Sequence, residues 1–209
     1  MSARRIFLIL FIALLLLAAG TLWIFDWTAK RPLATSGGLY FPVAVEIPGP
    51  HFLQGDKRWG GDFLAWTSDS LSEVGCAVAS AAMALGSRGI ETDPGRLNAF
   101  LQTTDGGYTP EGWIYWEKAA EIDPEKASGL LPHYEDAPSH FLIDSNLLKR
   151  NPIIARVRYP SGVTHFVLIC GKRGFEYLVR DPGEGGRDGL TLLSAFPEPV
   201  EALRFYRAD

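Results

Sequence analysis

The chain has 209 residues, 47% of them apolar and 21% charged, an ordinary balance for a globular protein with room for one domain and a substantial core. With residues 1–31 set aside, and with them Arg4, Arg5, Lys30, Arg31 and Asp26, sixteen basic residues remain against twenty-three acidic ones, a net charge of −7. A domain this acidic, with no polybasic tail or basic groove, excludes nucleic acid as a partner.

From Ile6 to Phe25 no residue is charged. As a helix, twenty such residues reach about 30 Å, the hydrocarbon thickness of a bilayer, so residues 1–31 are expected to form a single-pass membrane anchor. Arg4 and Arg5 precede the run and Lys30 and Arg31 follow it, which narrowly favours a cytoplasmic N-terminus. A cleaved signal peptide is the competing reading, because Ala18-Ala19-Gly20 offers small residues. Leu22, Trp23, Ile24 and Phe25 continue the apolar run beyond it, however, and signal cores usually stop sooner. Either reading places the functional domain outside the cytoplasm, in a periplasm or at a cell surface.

Residues 32–50 carry Pro32, Gly37, Gly38, Pro42, Pro48, Gly49 and Pro50, a density of breakers expected of an extended linker with at most a short strand around 40–47. The functional domain is then 51–209. After a loop-like stretch from His51 to Gly61, the small-residue run after Gly75 predicts a helix from Cys76 to about Ser87. A second helix is expected from Pro94, with Thr92 or Asp93 as N-cap, to about Gln102. A third is expected from Pro110, with Trp113, Trp116 and Ala120 on one apolar face. A short fourth is expected to start behind Asp144 and end near Asn151. Beyond Pro152 the pattern changes to strands at 153–159, 163–171 and 175–180, separated by Pro160-Ser161-Gly162 and Lys172-Arg173-Gly174, with further strands at 190–193 and 203–206. Helices first and an antiparallel meander second make an α+β domain.

Cys76 stands at the first turn of its helix, where unpaired backbone N–H groups and the helix dipole favour the thiolate. If Lys172-Arg173-Gly174 closes a three-residue hairpin, His165 and Asp181 lie directly opposite each other on one face, with β-carbons about 5 Å apart. A carboxylate there would hold one imidazole tautomer. Each residue alone has a plainer reading: Asp181-Pro182-Gly183 is a turn signal, a strand histidine is a half-buried structural group, and a cysteine in an alanine-rich helix is a small core residue. It is their combination that points to a nucleophile, a base and an orienting group.

The sequence has only two cysteines, so a Cys76–Cys170 disulfide competes with this reading. Strand alternation sends His165 and Cys170 to opposite faces, so a bridge and a Cys76–His165 pair exclude each other. No metal is expected: H-E-x-x-H and C-x-x-C are absent, and His51, His133 and His140 lack ligand spacing. The glycines at 105–107 and 183–186 lie in turns and not in a phosphate loop. Tyr108, Trp113, Tyr115 and Trp116 are candidates for a substrate groove, with core packing as the alternative for the two tryptophans.

Four separated motifs stand in order: Gln54-Gly-Asp-Lys-Arg-Trp59, Gly75-Cys76-Ala-Val-Ala-Ser80, Thr164-His165-Phe166-Val167-Leu168 and Arg180-Asp181-Pro182. Together they resemble papain-like cysteine peptidases related to the double-glycine-leader, bacteriocin-processing peptidases, over roughly residues 50–183. The resemblance implies a papain-like fold, with helices packed on a C-terminal antiparallel sheet. It also implies Cys76 as nucleophile, His165 as general base and acid, Asp181 as its orienter, and Gln54 as an oxyanion donor beside the Cys76 N–H. Gln54 lies 22 residues before Cys76, further than in the transporter-linked relatives. The expected activity is cofactor-free hydrolysis of a peptide or protein by a membrane-tethered enzyme. The alternatives are an amidase or transpeptidase using the same triad, or a silent domain that holds a peptide.

Overall fold

The computed structural model describes residues 5, 7, 10–17, 19–20, 32–127, 130–197 and 199–208. It divides into two units, Met1–Pro32 and Leu33–Asp209. In the first, residues 10–17 are helical, with Leu10, Leu14, Leu16 and Leu17 exposed. Among the described residues no helix is long and apolar enough to cross a membrane. Much of the expected span from Ile6 to Phe25 lies outside those residues.

The second unit is built on an antiparallel sheet of β1 (Ser36–Glu46), β2 (Leu130–Glu135), β3 (Ile153–Arg158), β4 (Thr164–Arg180), β5 (Thr191–Leu192) and β6 (Ala202–Ala208). The strand order is β1-β4-β3-β6-β2, with β5 paired to β4. The α-helices are α1 (Leu71–Val74), α2 (Cys76–Gly86), α3 (Pro94–Thr103), α4 (Trp116–Ala120) and α5 (His140–Leu148). The architecture is therefore α+β, as the change of period at Pro152 predicts. Helix α2 is composed almost wholly of small residues, so it lies close against the sheet: Val78, Ala81, Ala82 and Leu85 share one core with Ile154 and Leu168. A second core joins Ile143 and Leu147 of α5 to Ala155, Val157, Val167 and Ile169. Ile153, Ile154 and Ala155 are consecutive apolar residues because β3 is covered on both faces at its start, and Arg156 interrupts the run before the buried Val157.

Asp93 caps α3 by accepting the Arg96 N–H, and Pro94 occupies its first position, as expected. Three expectations need correction. The helix expected from Pro110 begins only at Trp116, because Gly112 takes φ 83° and Ile114 bridges back to Tyr108. The helix expected behind Asp144 instead starts at His140, capped by the Ser139 hydroxyl, which puts Asp144 inside it. The breaker-rich stretch 32–50 contributes an eleven-residue strand, longer than its composition suggests. The strand β2 and the one-turn α1 have no counterpart among the expected elements.

The two strands expected at 163–171 and 175–180 are continuous in β4, and the chain reverses within it. An extended run from His165 to Asp181 would span about 50 Å, whereas their side chains are hydrogen-bonded. The Cys170 thiol also lies 3.6 Å from the Leu178 carbonyl, so the reversal falls between these two residues. Gly174, at φ 61°, sits in that reversal. The turn residues remain in the sheet because β1 pairs with them, Val45 opposite Lys172 and Phe41 opposite Gly174.

Candidate active site

Gly75 separates α1 from α2. A β-carbon there would meet the Leu71 backbone, with Leu71 Cα at 2.9 Å, so only glycine lets the two helices join this tightly and places Cys76 in the first turn of α2. No side chain caps that turn, which leaves its leading N–H groups without a side-chain acceptor. Cys76 is half-buried, and both cysteines are free, so the competing disulfide is not formed. Cys170 is buried beneath the sheet, and burial pushes its thiol up to about 11.

His165 is 2% exposed and Asp181 1%. The imidazole Nε2 lies 2.6 Å from Asp181 Oδ1, the pairing that the three-residue turn predicts. With Nε2 engaged, Nδ1 is the nitrogen left free for Cys76, whose side chain lies near enough to raise the imidazole pKa. Burial pulls the imidazole pKa down, but the hydrogen bonds and charges of Asp181 and Cys76 outweigh it, raising the pKa from the ordinary 6.5 to about 9. His165 is therefore hydrogen-bonded to Asp181 on one side and influenced electrostatically by Cys76 on the other.

Gln54 is tied to the same region by its backbone, whose N–H donates to the Pro182 carbonyl at 2.8 Å. Its side-chain Nε2 donates to the Ser72 carbonyl, also at 2.8 Å, in the turn that leads to Cys76, while its Oε1 is buried without a partner. The amide is thus fixed between the residue after Asp181 and the helix before the cysteine. Its separation of 22 residues from Cys76 is taken up by the loop at 55–70.

Several residues around the histidine were not singled out by the sequence. Tyr159 stacks on the His165 ring at 4.4 Å between centroids, with its hydroxyl 3.1 Å from Nε2. Phe196 lies 5.8 Å from the same ring. Burial, then the negative charge of Asp181, raises the Tyr159 pKa, so its phenol stays protonated. A signal for Tyr159 was present. The Pro160-Ser161-Gly162 turn puts Val157 opposite His165, and Tyr159, two residues on, falls diagonal to the histidine. Phe196 has no comparable signal, since it arrives from a distant loop.

Asp181 is held by the loop that follows it. Its Oδ1 also accepts the Gly183 N–H at 2.8 Å, and the His51 Nε2 lies 2.9 Å from its backbone carbonyl. A β-carbon on Gly185 would approach Asp181 Oδ2 to 2.6 Å, and one on Gly186 would collide with the Asp181 carbonyl and come within 2.8 Å of His51 Nε2. The glycines read as a turn are thus close-approach positions around the carboxylate. Gly186→Ala is expected to cost about 1–3 kcal/mol of stability and to lower turnover about 10- to 100-fold by displacing Asp181. Calorimetry and steady-state kinetics on one preparation check both.

A groove of about 460 Å³ opens beside Cys76. Its apolar lining includes Leu64, Val74, Ile114 and Phe166. Trp113 lies on it and is 70% exposed, whereas Trp116 is buried against Phe166. Both tryptophans thus line the groove, Trp113 as an exposed ring and Trp116 as part of the core beneath it. Tyr108 joins the core, donating its hydroxyl to Asn98 Oδ1. Among the described residues no group of three or more His, Cys, Asp or Glu is placed to hold a metal ion.

No protein-family model and no curated protein matches the chain. Among the solved structures similar to it are two peptidases. One is the peptidase domain of Streptococcus ComA, a bi-functional ABC transporter involved in a quorum-sensing pathway, at 19% identity and a TM-score of 0.45, covering 64% of this chain and 91% of that one. The other, from Bacillus anthracis, is described as a C39-like peptidase, at 16% identity and a TM-score of 0.49, covering 80% of this chain and 98% of that one. Both are described as peptidases.

Proposed function

We propose that the chain is a cysteine peptidase, with Cys76 as nucleophile, His165 as general base and acid, Asp181 as the group that orients His165, and Gln54 with the Cys76 N–H as oxyanion donors. The observation that supports this reading is the buried imidazole bound to Asp181 Oδ1 at 2.6 Å and near enough to Cys76 to be shifted by it, with Cys76 lining an open groove. In the reaction, His165 takes the Cys76 thiol proton as Sγ bonds to the carbonyl carbon of the scissile peptide, and the carbonyl oxygen takes up the negative charge. His165 gives its proton to the departing amine as the C–N bond breaks, leaving a thioester. It then takes a proton from water, whose hydroxyl adds to the acyl carbon and displaces the sulfur as the C–S bond breaks. No step needs a cofactor.

The raised His165 pKa gives the reading a pH signature. The amine must be protonated as it leaves, so kcat/KM is expected to fall as pH rises through about 9, where the imidazolium is lost. Stability follows the same direction. The folded pKa lies above the unfolded value, so the ion-pair contribution is complete below about pH 6.5 and disappears as pH passes about 9, on the order of 3 kcal/mol in all. Thermal melts of the parent and of His165→Gln between pH 6 and 10 check this, the variant being expected to show the shallower decline. The function itself is tested by incubating the full chain in detergent micelles with a mixed peptide pool and reading new amino termini by mass spectrometry. Parent-dependent cleavage is expected, and its absence at every pH from 5 to 9 would refute the peptidase.

The same proposal includes a membrane tether. Its support is the uncharged run from Ile6 to Phe25 and the exposed leucines of the helical residues 10–17. The catalytic domain would then act outside the cytoplasm. Retention of the full chain in the membrane pellet after alkaline carbonate washing is the expected result, and release into the supernatant would refute the tether.

A further inference from the structure

One wall of the groove beside Cys76 carries more positive charge than its own partners neutralise. Arg156 and Arg158, two residues apart on β3, project on the same side of the strand, next to Phe166 and Thr164 of β4. Both converge on one carboxylate, that of Glu201: Arg156 Nε lies 3.1 Å from Oε2 and Arg158 Nε 2.5 Å from Oε1. Glu201 is fixed by its own N–H, which donates to the Arg156 carbonyl at 2.9 Å. Arg158 is further anchored on the Gly162 carbonyl at 2.7 Å. Arg156 has no such anchor at Nε, which is buried without a well-aligned acceptor, and Glu201 Oε2 is buried without a well-aligned donor. Two guanidinium groups thus share one carboxylate in a partly desolvated groove. Asp69 and Glu111 also line the groove, but among the described residues neither forms an ion pair with these arginines.

A surface ion pair of one cation and one anion contributes little and calls for no further partner. Two arginines on one glutamate differ, because one positive charge is left over and a guanidinium fork recognises a carboxylate through paired N–H donors. Resting on the peptidase reading, we propose that this wall is a specificity subsite that takes an acidic side chain, Asp or Glu, of the peptide bound in the groove. The Arg156 guanidinium is the principal donor, Glu201 competes with the bound acid for the two arginines, and the adjoining apolar lining takes the neighbouring side chains. Trp113, exposed on the same groove, gives those neighbours a flat surface to lie on.

The test uses the full chain carrying Cys76→Ala, in detergent micelles, with peptide pools that differ only in Glu or Gln at one fixed position. At one position the Glu pool is expected to be retained about 10-fold better than the Gln pool. Arg156→Gln and Arg158→Gln are each expected to bring the ratio to within about two-fold. Arg158→Lys, which keeps the charge and a side chain of similar length, is expected to retain part of the preference and guards against misfolding of the Gln variants. Glu201→Gln is expected to strengthen it, because a competing carboxylate is removed. Equal retention of Glu and Gln pools at every position, or a weaker preference in Glu201→Gln, overturns the subsite. Cleavage by the parent is scored separately: cleavage without acid preference sinks the subsite and leaves the peptidase, while acid preference without cleavage sinks the peptidase and leaves the acid-binding groove.

Discussion

Cys76→Ala is expected to lower peptide turnover by at least about 10⁴-fold, the largest functional effect of any single change in this protein. The substitution removes the one atom able to form the acyl intermediate. It does so at a half-buried position on the groove, where deleting a sulfur opens no deep cavity, so the melting temperature is expected to stay within a few degrees. The histidine supplies an independent readout. Cys76 is one of the two groups that hold the His165 pKa up, so its NMR titration is expected to move below about 9 when the thiol is removed. Asp181→Asn removes the other group. It is expected to cost less, about 10- to 100-fold, because an amide oxygen at the Oδ1 position can still accept from His165 and Gly183. A Cys76→Ala protein that cleaves as fast as its parent would leave only a peptide-holding domain.

The sequence made the chemistry more legible than the scaffold, and the reason is spacing. Cys76 is located by a glycine and a run of small residues within one stretch of chain, and His165 and Asp181 by a turn of fixed length between them. Such local patterns carry their geometry with them. The residues that hold them do not. Phe196 reaches His165 from a loop after β5, and His51 reaches the Asp181 carbonyl from the far side of the chain, so neither is implied by any nearby pattern. The third expected helix failed for a related reason. Trp113, Trp116 and Ala120 have helical spacing, but the bridge between Tyr108 and Ile114 competes for the same backbone and delays the helix to Trp116. β1 was obscured by Gly37, Gly38 and Pro42, which stay compatible with a strand at the sheet edge because only one side must be paired.

The least legible feature of the fold has the largest expected effect on stability. Lys172 reads as a turn residue and Asp144 as a helix start, yet they form an ion pair at 2.6 Å with side chains 0% and 1% exposed. Lys172 Nζ also donates to the Gly37 carbonyl at 2.6 Å, and Asp144 Oδ2 accepts the Leu39 N–H at 2.7 Å. Tyr177 completes the cluster, its hydroxyl donating to Asp144 Oδ1 at 3.1 Å. The pair therefore clamps β1, α5 and the reversal in β4 at one point. Lys172→Met is expected to destabilise the protein by about 3–5 kcal/mol, because it leaves a buried carboxylate without its cation. In a domain of this size that corresponds to a fall of roughly 10 °C in melting temperature. The double variant Lys172→Met, Asp144→Leu removes both charges and is expected to recover part of the loss, though not all, since the Gly37 carbonyl and the Leu39 N–H would still lack partners. A double variant no more stable than Lys172→Met alone would show that backbone satisfaction, and not the buried charge, dominates the clamp. Because the same reversal in β4 brings Asp181 to His165, the loosened protein is also expected to lose activity, and the lower melting point and the lower kcat should then recover together in the double variant.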